Sequence, residues 1–435
     1  MDFIEKRLLD CAVHAPILYI PDNPSDHILW PSFPFTYNNL NEKLIDPLDI
    51  GFLMNSKDYT PQYNSDNVKL TKNHFNKINK NVKRSLRSGF LSDYEGFVLT
   101  RHIYPSGEER YGLLVLLDLE QYSNQPLSII SYAKDFDEDK AKRHSEFLND
   151  SVIDFPFSQA FIEDKSFSLI EPLISCTFNF KLIFSFDHPI YGVYEGYQIS
   201  TPQHYTLISN ALMKIKEKVI IENKPMFIIS DGIESFESAK IHWEWLKNKY
   251  GNDLYSLHPS RFQMVELLNI SNNSTIMNPF YIILKNTQID DLVKQIRNNT
   301  KIKVESQISL KELNNAINKR FDKYKSVCYG MTDIESFYLI TFRNPDSDIG
   351  IINILDVVNE YLVKRNNDIC FYSNANEFYD NISQSQDCGI ILPPINKDTF
   401  FENISSLGKL STYAYVSDIE SSKNFIFEAR KIIDD

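Results

Sequence analysis

The stretch that most constrains this chain is residues 225–239, where a short apolar run stops at a polar corner and a helical pattern begins at once. Met226, Phe227, Ile228 and Ile229 make a run of strand length with no polar residue on either face, as a strand buried on both sides requires. From Ile233 the apolar residues Phe236, Ala239, Trp243, Leu246 and Tyr250 recur at helical spacing, and Gly251 stands where a C-terminal cap belongs. Asp231 is expected to be the N-cap, with Glu234 three residues on completing a capping box. A strand delivered straight into a helix N-terminus puts outward N–H groups and a positive dipole end at the corner, which suits an anion.

Composition narrows the classes open to such a fold. At 435 residues the chain has room for roughly two or three domains. Apolar residues make up 43% and charged residues 24%, the balance of a folded protein with a sizeable core. That core draws on 30 Phe and 24 Tyr for volume, whereas 13 Gly are too few to suggest a glycine-rich phosphate loop. A formal charge of −13 argues against a general nucleic-acid surface, because phosphate contacts need clustered cations, and no nucleic-acid partner is expected. The densest basic run, residues 80–87, reads as a solvated helix face. Cys11, Cys176, Cys328, Cys370 and Cys388 are scattered without a C-x-x-C pair, and the His residues form no H-E-x-x-H, so neither a disulfide framework nor a metal site is expected. No leader pattern opens the sequence and no apolar run is long enough for a bilayer, so the expected setting is the cytoplasm, without a membrane partner.

Along the chain, a short helix over residues 3–12 leads into a segment punctuated by Pro16, Pro21, Pro24, Pro31, Pro34 and Pro47, expected to wrap irregularly. Residues 66–90 read as a helix. Residues 95–104 and 111–119 read as a hairpin about Pro105, Ser106 and Gly107, and the second strand is apolar on both faces and therefore central. A charged helix over 135–148, strands within 173–186 and 191–199, and a helix over 205–222 precede the corner. Beyond the Asn-rich turn at 271–274, strands at 280–284, 302–305, 336–342, 369–372 and 389–392 alternate with helices at 289–298, 310–325, 351–365, 377–384 and 397–406. The pattern is that of an α/β protein (α+β as the variant), with a mixed-sheet core and a smaller C-terminal α/β subdomain. The expected divisions are residues 1–90 as a wrapping segment and helix, 91–270 as the core carrying the corner, and 271–435 as the subdomain.

Several separated blocks, spanning roughly residues 90–420, resemble one family, the bacterial and archaeal proteins grouped as DUF1015. Tyr104 to Gly112 resembles that family's Y-x-x-x-G-x-x-R-x-G-like segment, and residues 129–148 its H-E-containing strand end with the charged helix that follows. Residues 225–239 resemble its strand, D-G-H-H-R corner and helix, and residues 389–415 its proline-containing strand and K-S-T-x-F-x-P-K-like ending. The departures fall on the cationic and proton-transferring positions. The corner reads Asp231, Gly232, Ile233, Glu234, Ser235, without the two His and the Arg. The H-E position reads Tyr132, Ala133; a His-Arg pair is replaced near Asn278 to Tyr281 by aromatic residues; and Leu410 precedes Ser411 and Thr412 where Lys is expected.

The D-G-H-H-R corner is similar to that of the ParB/sulfiredoxin-like fold, whose members bind nucleotides and include kinases of free serine. Phosphoryl transfer needs cations on the phosphate oxygens and a carboxylate or His near the attacking hydroxyl. The corner here keeps Asp231 and gains Glu234, but lacks the arginine that would hold phosphate in a two-pronged grip. Asp231 and Glu234 therefore read either as a capping box alone or as a catalytic pair, with Gly232 between them at a ligand. Arg110 and Arg143 are the surviving candidates for anion contacts, and Lys409, Ser411 and Thr412 for donors on a loop; each has an ordinary reading as an ion-pair or turn residue. Trp243 and Trp245 read as packing residues, and His102, His144 and His242 as isolated ones. The favoured expectation is a catalytically degenerate member, a pseudoenzyme candidate, binding a small ligand or a partner protein. The alternative is a nucleotide-dependent small-molecule phosphotransferase like the free serine kinases, which would bring a nucleotide with Mg²⁺.

Overall fold

The computed structural model describes residues 3–21, 80, 83–84, 86–87, 89, 91–123, 128–149, 151–154, 158–188, 192–251, 257–299, 302–307, 309–324, 328–333, 335–342, 369–372, 375–383, 387–410, 414–417 and 429–432. The proline-punctuated segment beyond Pro21, most of the helix expected over 66–90 and all of that expected over 351–365 lie outside them. The chain divides into two compact units, Met1–Thr275 with Ser421–Asp435, and Ile276–Glu420.

The first unit opens with α1 (Phe3–Asp10), β1 (Val13–His14) and β2 (Ile17–Pro21). Then come β3 (Leu91–Glu95), β4 (Phe97–Ile103), β5 (Glu109–Asp118), β6 (Ile130–Tyr132), α2 (Glu138–Leu148), β7 (Ile153–Asp154) and β8 (Ser158–Ile162). They are followed by α3 (Glu171–Ile174), β9 (Lys181–His188), β10 (Gly192–Ile199), α4 (Pro202–Glu222), β11 (Phe227–Asp231), α5 (Ile233–Tyr250) and β12 (Phe262–Asn269). The large mixed sheet runs β6-β11-β8-β12-β5-β4-β10-β9, with β1 paired to β5. β5 is central, as its unbroken apolar run requires. Leu113, Val115 and Leu117 enter the core beneath α1, α4 and α5, and Leu114 and Leu116 enter the core on the opposite face. That opposite face is covered partly by a small sheet to which β2 brings Leu18 and Ile20, β3 Leu91 and β7 Ile153. One expectation fails here. Residues 173–180 are not strand, because Pro172 starts the short helix α3 and a 3₁₀ turn at Thr177–Asn179 follows before β9 begins.

The second unit carries β13 (Met277–Asn278), β14 (Tyr281–Leu284), α6 (Ile289–Asn299), β15 (Ile302–Gln307), α7 (Leu310–Tyr324), β16 (Cys328–Thr332) and β17 (Phe337–Phe342). β18 (Ile369–Tyr372), α8 (Ala375–Ser383), β19 (Cys388–Ile391), α9 (Phe400–Leu407) and β20 (Val416–Ser417) complete it. Its sheet, β15-β17-β16-β19-β14-β18, is antiparallel throughout and packs Leu313 and Ile317 of α7 and Phe378 of α8 against Ile283, Leu339 and Ile391. The chain then returns to the first unit as β21 (Ala429–Lys431), which joins β2 to β7 within the small sheet. No helix among the described residues is long and apolar enough to cross a membrane.

Candidate functional site

The corner after β11 is built as a strand end, a left-handed turn and a helix. β11 runs parallel to β6 and antiparallel to β8, so the C-terminal ends of β6 and β11 share one edge with the start of β8. Asp231 still belongs to the strand, and the N-cap of α5 is Gly232 rather than Asp231. Gly232 adopts φ 68°, which a side chain disfavours, so the chain turns one residue later than a capping box would have it. The Asp231 carboxylate accepts instead from the Gly232 N–H at 3.0 Å. Ser158 at the start of β8 donates to the Gly232 carbonyl at 2.9 Å and pins the turn. Glu234 lies in the first turn of α5, where a carboxylate stabilises the positive end of the helix dipole.

From this corner a polar row crosses the sheet. Asp231 is the register partner of Gln159 on β8, Gln159 of Glu266 on β12, and Glu266 of Leu114 on β5. The Glu266 carboxylate accepts from Gln159 Nε2 at 3.1 Å and from Thr100 Oγ1 at 2.7 Å. Arg110 closes the row: its Nη1 lies 2.9 Å from Glu266 Oε2, and its Nε donates to the Tyr104 hydroxyl at 2.9 Å. The Arg110 side chain is only 2% exposed. Gly112 makes room for the row, since a Cβ there would stand 2.7 Å from Glu266 Oε1 and 2.8 Å from Thr100 Oγ1. Arg110 is thus spent on a buried ion pair, which loses about 3–5 kcal/mol if one partner is removed.

Further groups at this end escaped the sequence reading. Ala133 N–H donates to the Ile229 carbonyl, so the path of β6 continues beside β11 and brings Lys134, 8% exposed, to the sheet edge that carries Asp231. One turn into α5, buried Glu237 accepts a hydrogen bond from the Tyr122 hydroxyl, and burial raises its carboxyl above the ordinary range. A lysine behind an apolar strand and a glutamate among Phe236 and Ala239 carry no motif. Their only signal is a charge at a position of the pattern that points inward.

The structure brings together Asp231, Gly232 and Glu234, and joins Arg110 to them through Gln159 and Glu266. Arg143 lies on α2, the helix packed along α5. Lys409 lies exposed in the second unit, just past the Gly408 that ends α9, and Ser411 and Thr412 lie outside the described residues.

A family model described as a protein of unknown function (DUF1015) matches residues 58–358, well over half the chain. The chain belongs to this family. The block at 389–415 lies beyond the matched span, whereas the hairpin, the charged helix and the 231 corner lie within it. No curated protein matches the chain. Similar solved structures include a free serine kinase in complex with ADP, 9% identical with a TM-score of 0.39, covering 74% of this chain and 92% of that one. A conserved hypothetical protein from Pyrococcus furiosus is 9% identical with a TM-score of 0.37 (74% and 95% covered). SbnI with a C-terminal truncation, from Staphylococcus aureus, is 8% identical with a TM-score of 0.36 (72% and 85% covered). Likenesses this low do not bear on the activity of the chain.

Proposed function

We propose that this DUF1015 member is a binding protein, and that its ligand is a small molecule held at the Asp231 corner through hydrogen-bond donors rather than through phosphate. The observation that carries the reading is the pairing of Arg110 with Glu266, which commits the buried guanidinium of the polar row to a carboxylate of the chain itself. What remains at the corner is rich in acceptors. Asp231 and Glu234 are partly exposed carboxylates, and Gln159 Oε1 is buried with no hydrogen-bond partner among the described residues. An ammonium or hydroxyl group would donate to Gln159 Oε1, whereas a phosphate would face like charge from the carboxylates. The chemistry of the family's cationic corner is then absent, and Asp231 and Glu234 bind rather than catalyse.

The second reading, a nucleotide-dependent phosphotransferase acting on a small hydroxyl substrate, is favoured by the N-terminus of α5 and by Lys134 at the same sheet edge. Thermal unfolding against two panels separates the readings. One panel holds free amino acids, polyamines and amino sugars; the other holds ATP, ADP, CTP and GTP with Mg²⁺. A ligand that binds only the folded chain adds about 2.7 kcal/mol at a hundred times its dissociation constant. Binding-protein function predicts a midpoint rise with a member of the first panel that is lost in Asp231→Asn. A rise confined to the second panel would replace it with the phosphotransferase reading.

A further inference from the structure

The last described strand is held in an unusual way. β21 lies between β2 and β7, pairing Leu18 with Arg430 on one side and Arg430 with Asp154 on the other. Without it the small sheet falls into β3-β2 and a detached β7. Its anchors are polar and buried. Arg430, 2% exposed, donates to the Pro259 carbonyl at 3.1 Å and sits 3.5 Å from the carboxylate of Asp154, itself 0% exposed. Ser260 donates to the Ile432 carbonyl, and Ile432 N–H donates to Val152 O at 3.1 Å.

Three histidines that look isolated in the sequence gather around these anchors. His242 of α5 places Nδ1 2.9 Å from Asn149 Oδ1 and Nε2 3.4 Å from Ser260 Oγ, the hydroxyl that holds Ile432. His258 accepts from the Ser260 N–H at 3.2 Å and stacks on Trp243. His144 of α2 pairs with Ser238 Oγ at 3.0 Å. All three rings are buried.

We propose that β21 is an acid-releasable strap, seated in the first unit only while His144, His242 and His258 around the Arg430–Asp154 pair are neutral. Among the described residues, the charged groups facing the cluster are Arg430 from β21 and Asp154 from β7, of opposite sign. Each proton added to a ring therefore puts a positive charge into a buried space that already holds a guanidinium. Burial, Arg430 and His258 push His242 down to about 4, with Asp154 opposing; burial also lowers His144 and His258. Opening of the strap hydrates the rings and lets them take protons near their ordinary value, so acid favours the open form.

Hydrogen exchange on the full chain at pH 7.5 and 5.0, corrected for intrinsic rates, tests this by comparing residues 429–432 with residues 113–117 of β5. Moving His242 alone from about 4 back to its ordinary value raises the opening constant on the order of 30-fold at pH 5. The expected result is a loss of protection of tenfold or more at 429–432 with little change in β5. That loss shrinks in His242→Gln, which cannot titrate, and in Asn149→Asp, which sets a carboxylate against Nδ1. No selective loss at pH 5, or a loss unchanged in both variants, would overturn the proposal.

Discussion

Glu266→Gln is the change that most sharply tests the polar row. It keeps the shape of the side chain and an acceptor for Thr100, but removes the charge that Arg110 faces at 2.9 Å. Arg110 is 2% exposed on the side chain, so its guanidinium has little recourse to water. Leaving such a charge without its counterion costs about 3–5 kcal/mol. At about 2–4 °C per kcal/mol for a unit of this size, the midpoint falls by roughly 6–20 °C. Trp243 and Trp245 both lie on α5, so their fluorescence follows the transition of the first unit. Arg110→Met with Glu266→Leu removes both charges. It loses less than Glu266→Gln alone, because no charge of the pair is left behind and the groups that lose a partner, Thr100, Gln159 and the Tyr104 hydroxyl, are all neutral. A loss below about 1 kcal/mol in Glu266→Gln would refute the reasoning, since that is the worth of a solvated surface pair. Arg110 would then be open to a ligand.

Other consequences follow from the same geometry. Gly112→Ala drives a methyl against Glu266 and Thr100 and should cost about 1–3 kcal/mol in urea unfolding. Glu237→Gln keeps an acceptor for Tyr122 and removes a carboxyl whose folded value is raised by burial. The stability lost by wild type as pH rises through that folded value is then spared. The variant should match or exceed wild type near pH 7, and its advantage should vanish below about pH 4.3, where the unfolded carboxyl is also protonated. A neutral-pH loss above about 1 kcal/mol would count against a buried, destabilising charge. Thiol labelling of native protein should modify the half-buried Cys176 and Cys370 well before the buried Cys11, Cys328 and Cys388, as burial pushes the Cys11 thiol up to about 11 and raises Cys388 further.

Local pattern made much of this fold legible. The run from Leu113 to Leu117 reads as a central strand because no polar residue interrupts it, and it feeds both cores. The spacing from Ile233 to Tyr250 reads as a helix and is α5. The cap falls one residue later than the pattern suggests because Asp231 and Gly232 are both good helix starters, and only the left-handed φ of Gly232 decides between them. β16 is not legible because Gly330 interrupts a run of only five residues, Cys328–Thr332, that shows no polar–apolar alternation. The polar row was out of reach for a different reason. Thr100, Arg110, Gln159 and Glu266 come from separate strands, and no local spacing tells an arginine paired with a distant glutamate from one free to grip a ligand. The same holds for His144, His242 and His258, which share a cluster only once α2, α5 and the turn before β12 have packed.

Calorimetric titration of the full chain with ATP and Mg²⁺, with and without free serine, bears most directly on the claim that the Asp231 corner does not hold phosphate. The account predicts no binding heat beyond that of Asp231→Ala and no phosphorylated product. Saturable binding in the wild type that disappears in Asp231→Ala would contradict it, and would make the α5 N-terminus and Lys134 a working phosphate site.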